Sequence, residues 1–257
     1  MKAFPRAILF CLLPLSVLHA QDPKEPAKEV PAFQQEFLNL PEEKRNDFAK
    51  LGNEAHRLFG QKRVFEALDK INEAKAIFKD SPELLTLEGA CQVEFRNFDK
   101  AIELFKQADA LAPGERNSLF NLAELHFVTK NWDAAEASLN KLLEMQEGEP
   151  DPGALQMFRL IEFKLLLTKI KLGKMEEATK LSTKYDYLDD SPFPYYAEAA
   201  IAFANGDEVK AESAMARGTR IFQNPAVLSP WQDTMIEFGY IKGFFGGDME
   251  TPAAASE

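Results

Sequence analysis

From Leu84 to Leu111 the chain reads LLTLEGACQVEF, then the polar RNFD, then KAIELFKQADAL. Apolar residues three and four positions apart predict an amphipathic helix on each side of a short turn. The pattern recurs at a fixed distance. Asn97, Phe98, Asp99 and Ala101 are answered 34 residues later by Asn131, Trp132, Asp133 and Ala135, and Ala67 stands 34 residues before Ala101. Three units in strict phase follow, 48–81, 82–115 and 116–149. GKMEEATKLSTKY puts Ala178 in the same slot, and GDEVKAESAMARG does so with Ala211, which adds units 159–191 and 192–225. The Pro- and Gly-rich EGEPDPG at 147–153 accounts for the longer step before Ala178.

Small residues recur on both helices of the units. Ala55, Gly89, Ala123 and Ala199 mark the first helices, and Ala67, Ala101, Ala135, Ala178 and Ala211 the second. Matched small residues let two backbones approach, which predicts antiparallel hairpins. Asn97 and Asn131 are expected at the bends, with Asp99 and Asp133 offering carboxylates to the first amides of the next helix. One hairpin cannot bury its whole apolar surface, so successive units are expected to stack.

The ends read differently. Pro41-Glu42-Glu43 suits a helix start, with acids near the positive end of the helix dipole, so the repeat region is set at 41–228. Ser229-Pro230-Trp231 is expected to open a capping helix over 229–246 that covers the exposed face of the fifth unit. Residues 21–40, rich in Pro, Glu and Lys, read as a linker, and 247–257 as a disordered tail.

These units resemble the tetratricopeptide repeat family, whose 34-residue unit has a small residue in helix A and Ala early in helix B. A large apolar residue follows four later, then a small residue, then Pro near the end. Gly89, Ala101, Phe105, Ala108 and Pro113 carry the match best, while the fourth unit departs with Leu166 at the small position and Tyr185 near its end. The resemblance spans roughly residues 48–225. It implies an all-α, right-handed α-solenoid of about five hairpins, working through a concave face lined by the A helices. On that face the resemblance would place Phe59, Val93, Phe120, Glu124, Phe127, Phe163, Leu167, Ile170, Tyr196 and Phe203, joined by His56, Ala90 and Phe193. So apolar a lining suits a protein or peptide segment with Phe, Leu or Pro side chains. A face filled by the chain's own linker or tail, or rings belonging to the core, stays open as the alternative. Members that grip acidic chaperone tails use Lys and Asn on the first helix A. Gly52 and His56 stand there instead, and Asn121 alone cannot hold a carboxylate.

Charge and termini narrow the setting. Lys2 and Arg6 precede an apolar run from Ala7 to Leu18, followed by His19-Ala20, which is the layout of a secretory signal over residues 1–20. The run is too short to span a bilayer, so no integral span is expected after cleavage. Leu18 leaves open both cleavage after Ala20 and retention. An exported protein, periplasmic or secreted, follows as an expectation. Without residues 1–20 the chain has 28 basic and 41 acidic residues, a net charge of −13 that disfavours nucleic acid and anionic lipid. Cys91 is then the one cysteine left, so no internal disulfide can form.

No catalytic constellation emerges. His56 and His126 are the histidines beyond the signal, with no Cys/His spacing for a metal, no Gly-rich phosphate loop and no nucleophile elbow. Asp189-Asp190, Glu42-Glu43 and Glu176-Glu177 sit at turns or helix starts, where capping explains them. The expectation is therefore no enzyme, cofactor or metal. A non-enzymatic scaffold of the cell envelope is expected, with a self-associating assembly factor as the alternative.

Overall fold

The computed structural model describes residues 30–242 apart from 147, 149 and 152. The expected signal (1–20), residues 21–29 of the linker and the tail (247–257) lie outside the described residues. Twelve helices and no strands occur among the described residues. They are α1 (Ala32–Leu38), α2 (Glu42–Gly60), α3 (Val64–Ile77), α4 (Pro82–Glu94), α5 (Phe98–Leu111), α6 (Arg116–Val128), α7 (Trp132–Glu144), α8 (Leu155–Lys171), α9 (Met175–Ser182), α10 (Phe193–Ala204), α11 (Glu208–Ile221) and α12 (Pro225–Phe238). The described residues are all-α, and α2–α3, α4–α5, α8–α9 and α10–α11 are tetratricopeptide-like hairpins. The described residues divide into two compact units, 30–129 and 130–242.

In the first unit α2 pairs with α3 and α4 with α5. Ala55, Ala67, Ala101 and Ala123 are fully buried. Gly89 lies directly under the ring of Phe105. Leu104, Phe105 and Ala108 continue the buried stripe of α5, whereas Ile102 is only half-buried. The turns have one geometry. Lys62 and Arg96 take left-handed φ of 62° and 60°. After each, two amides bond back into the preceding helix: Arg63 N to Leu58 O and Lys62 N to Phe59 O, then Asn97 N to Gln92 O and Arg96 N to Val93 O. This double bond satisfies carbonyls the helix end would leave open. Asn97 is the N-cap of α5 but makes no side-chain cap bond. Its Nδ2 donates to Gln92 Oε1 at 3.2 Å instead, and Asp99 contributes only charge in the first turn.

Ala32–Leu38, read from sequence as linker, is helical. Phe37 on α1 packs its ring 5.1 Å from Phe48 and 5.4 Å from Phe78. Two rings four residues apart, Phe33 and Phe37, give this short segment an apolar face.

In the second unit α8 pairs with α7 and α9, and α10 with α11. Ala135, Ala178, Ala199 and Ala211 are fully buried. Gly173 and Gly206 fill the left-handed turn positions held by Lys62 and Arg96 in the other unit. α8 starts before the expected boundary at 159, because Asp151 Oδ1 accepts from the amides of Gly153 and Ala154 and turns the chain into the helix.

The last helix differs from expectation at both ends. It begins at Pro225, capped by Asn224, whose Oδ1 accepts from Ala226 N at 3.0 Å. Pro230 therefore lies inside the helix and leaves the Ala226 carbonyl without its helical donor. The helix stops at Phe238, because Gly239 turns left-handed at φ 94° and Tyr240 N bonds back to Met235 O. Residues 243–246 lie outside the described residues. α12 packs on α8, two hairpins back, as well as against Phe193 and Tyr196 of α10 in the fifth unit.

Candidate partner-binding face

Of the A helices, α4, α6 and α8 are buried on most of their surface, whereas α2 buries one stripe. On α2, α4 and α6, Phe59, Val93, Phe120, Glu124 and Phe127 are all buried, as is Ala90, while His56 is half-buried. Asn121 on α6 is fully buried with neither amide atom hydrogen-bonded, and His126 Nδ1 is likewise buried without a partner. Unpaired polar atoms at such depth are costly, and they mark α6 as poorly satisfied. Burial pushes the pKa of His56 and His126 down, joined at His126 by the Lys106 charge, which favours the neutral imidazole at both. Burial, with help from Glu88 and Glu94, pushes the Cys91 thiol up to about 12, which makes it a packed, unreactive group.

In the second unit Phe163, Leu167 and Tyr196 are fully buried, while Ile170 and Phe203 are half-buried. Phe163 and Tyr196 meet edge to face at 6.1 Å. What covers them is α12. Trp231 places its ring 5.3 Å from Phe163, 5.7 Å from Tyr196 and 6.4 Å from Phe193. One turn and two turns on, Met235 and Phe238 continue the stripe, and Phe238 lies 5.7 Å from Trp132 with the Lys171 ammonium 4.6 Å above its ring. Tyr240 then stacks on Phe203 at 5.0 Å. Lys164, 3% exposed on α8, reaches Glu237 at 3.5 Å. The A-helix face of this unit thus already holds an amphipathic helix, anchored by aromatics and one buried ion pair.

A second buried network fixes the loop between α9 and α10. Arg159, 5% exposed, makes paired hydrogen bonds to Asp189 at 2.9–3.2 Å and lies 3.5 Å over the ring of Tyr185. Tyr185 Oη donates to Glu162 at 2.9 Å, and Lys184 pairs with the same carboxylate. Tyr185 therefore serves as a platform for Arg159 at a place where the repeat pattern calls for Pro.

The face that emerges is one of aromatic and apolar packing. Among the described residues no cluster of three or more His, Cys, Asp or Glu could hold a metal ion, and no helix is long and apolar enough to cross a membrane. Trp231, Lys164 and Glu237 were not assigned to this face from sequence, although Trp231, Met235 and Phe238 at positions i, i+4 and i+7 are the spacing of a groove-binding helix.

Residues 92–156 match the tetratricopeptide repeat family. Among solved structures, one described as the functional characterization of Pseudomonas aeruginosa pilF is 12% identical, with a TM-score of 0.53, covering 77% of this chain and 95% of that one. A thermophilic TPR protein of Thermus thermophilus is 16% identical, with a TM-score of 0.48, covering 74% and 99%. A tetratricopeptide repeat protein from Parabacteroides merdae is 15% identical, with a TM-score of 0.40, covering 73% and 84%. No curated protein matches the chain. At 12% identity the first likeness carries the fold and nothing further. The family match over residues 92–156, the helix order and the buried small residues together support tetratricopeptide-like helix hairpins in an all-α fold.

Proposed function

We propose that the protein is a non-enzymatic interaction scaffold of the cell envelope, whose A-helix face takes an apolar, aromatic segment of a protein partner. The observation that carries this reading is Trp231 seated among Phe163, Phe193 and Tyr196, a helix-in-groove contact made within the chain. A partner helix with the same spacing of bulky residues would compete for those rings. Ile170 and Phe203, half-buried on α8 and α10, are the first points such a partner would touch. Export rests on residues 1–20, with their basic start and apolar run.

The second reading, a self-associating assembly factor with its groove filled by its own chain, is favoured in its latter half by α12. Capture from envelope extract separates the two. Tagged protein is expected to retain a partner that the Ile170→Ser/Phe203→Ser variant, with unchanged circular dichroism, loses. Capture of the same chain alone would favour self-association. A reporter active only outside the cytoplasm, fused after residue 30, is expected to be active; an inactive fusion would refute export.

A further inference from the structure

At the other end of the chain a cavity of about 260 Å³ opens between α1, α2 and the starts of α4 and α6. Its floor is a cluster of three rings. Phe37, Phe48 and Phe78 lie 5.1, 5.4 and 6.0 Å apart and tilt against one another, and Phe33 adds a fourth ring from α1. Glu83 and Glu115 stand at the wall, and among the described residues no Lys, Arg or His lines the space. The two carboxylates are not equivalent. Glu115 is engaged as the N-cap of α6, accepting from the amides of Asn117 at 3.1 Å and Ser118 at 2.8 Å. Glu83, exposed to solvent at the edge of the cavity, has no hydrogen-bond or ion-pair partner among the described residues; partial desolvation by its neighbours and the Glu115 charge push its pKa up.

Aromatic rings beside a carboxylate that lacks a cation form a complementary site for a positive charge on an apolar stem. The ring faces are negative, and the stem would replace water over them. At this volume the space is smaller than an ordinary small-molecule pocket, which runs from about 300 Å³ upward, so it suits a single side chain. We infer that the Phe33–Phe37–Phe48–Phe78 cavity receives the alkylammonium group of a lysine side chain from a protein partner, its charge held at Glu83. The choice of a partner's lysine over a free amine rests on the scaffold reading above. The cation site itself does not.

The test uses the full chain with ring-labelled Phe, titrated by NMR with hexylammonium, the tripeptide Ac-Ala-Lys-Ala-NH2 and hexanol. Both cations are expected to shift Phe ring signals saturably, hexanol binding at least tenfold more weakly. Glu83→Gln, a nearly isosteric change, is expected to weaken both cations about tenfold, and Phe33→Ser, on the short outer helix, likewise. Hexanol binding as tightly as hexylammonium, undiminished binding to Glu83→Gln, or no saturable shift overturns the cation site. Saturation by hexylammonium but not by the tripeptide overturns the assignment to lysine.

Discussion

A β-carbon built on Gly89 would lie 2.5 Å from Cε1 of Phe105, so α4 and α5 are closer than any side chain but hydrogen allows. Gly89→Ala is expected to cost about 1–3 kcal/mol, since the ring is fully buried and cannot yield without moving its helix. Gly52, on α2, is the control: its added β-carbon would meet Leu84 at an ordinary 3.9 Å. Gly52→Ala is expected to stabilise by up to about 1 kcal/mol through helix propensity. Urea titration of both variants checks the pair.

Arg159 is buried against Asp189 and Tyr185, so removing it strands a carboxylate. Arg159→Leu is expected to destabilise by about 3–5 kcal/mol. Arg159→Lys is expected to rescue only part of this, because an ammonium cannot make the paired bonds to Asp189 or stack flat on the Tyr185 ring. Denaturation midpoints of the two variants measure the difference.

Alkaline pH should unfold the protein earlier than surface charge alone would. The Cys91 thiol is raised from 9.0 to about 12, and burial raises the Tyr196 and Tyr240 hydroxyls from 10.0 to about 12. A raised folded-state pKa contributes stability that is complete below the unfolded value and is lost as pH climbs through the folded one. Stability is therefore expected to fall between about pH 9 and 12. Thermal melts across that window check it. At pH 8 iodoacetamide is expected to leave Cys91 untouched in the folded chain and to label it in urea.

The repeat itself was legible because it is local. A period of 34 and small residues at fixed slots need no knowledge of distant contacts, and Ala55, Ala101, Ala135 and Ala211 are buried as that pattern requires. What could not be read depends on residues far apart in sequence. Lys164 and Glu237 are 73 positions apart, and neither residue type signals a buried pair. Pro230 looked like a helix start because Pro favours the first turn, yet Asn224 and Pro225 are the stronger signal five residues earlier. The groove residues were assigned by position in the repeat, a rule that says nothing of whether another part of the chain lies over them; at Phe163 and Tyr196, Trp231 does.

Truncating that anchor should loosen α12 without dissolving the hairpins. Trp231→Ala is expected to cost about 3–5 kcal/mol of the stability it supports and to increase binding of an apolar dye, as Phe163 and Tyr196 become accessible. Dye fluorescence beside far-ultraviolet circular dichroism distinguishes local opening from global unfolding.

If the A-helix face of residues 130–242 receives an apolar helix, as proposed, the α12 sequence supplied in trans should bind there. A labelled peptide spanning residues 222–240 is titrated, by fluorescence anisotropy, with full-length wild type and with Trp231→Ala. Binding is expected to be saturable with Trp231→Ala, little or none with the wild type whose own helix occupies the face, and lost when Phe163→Ala is added. Failure of the peptide to bind Trp231→Ala, or equal binding to all three proteins, would contradict that proposal.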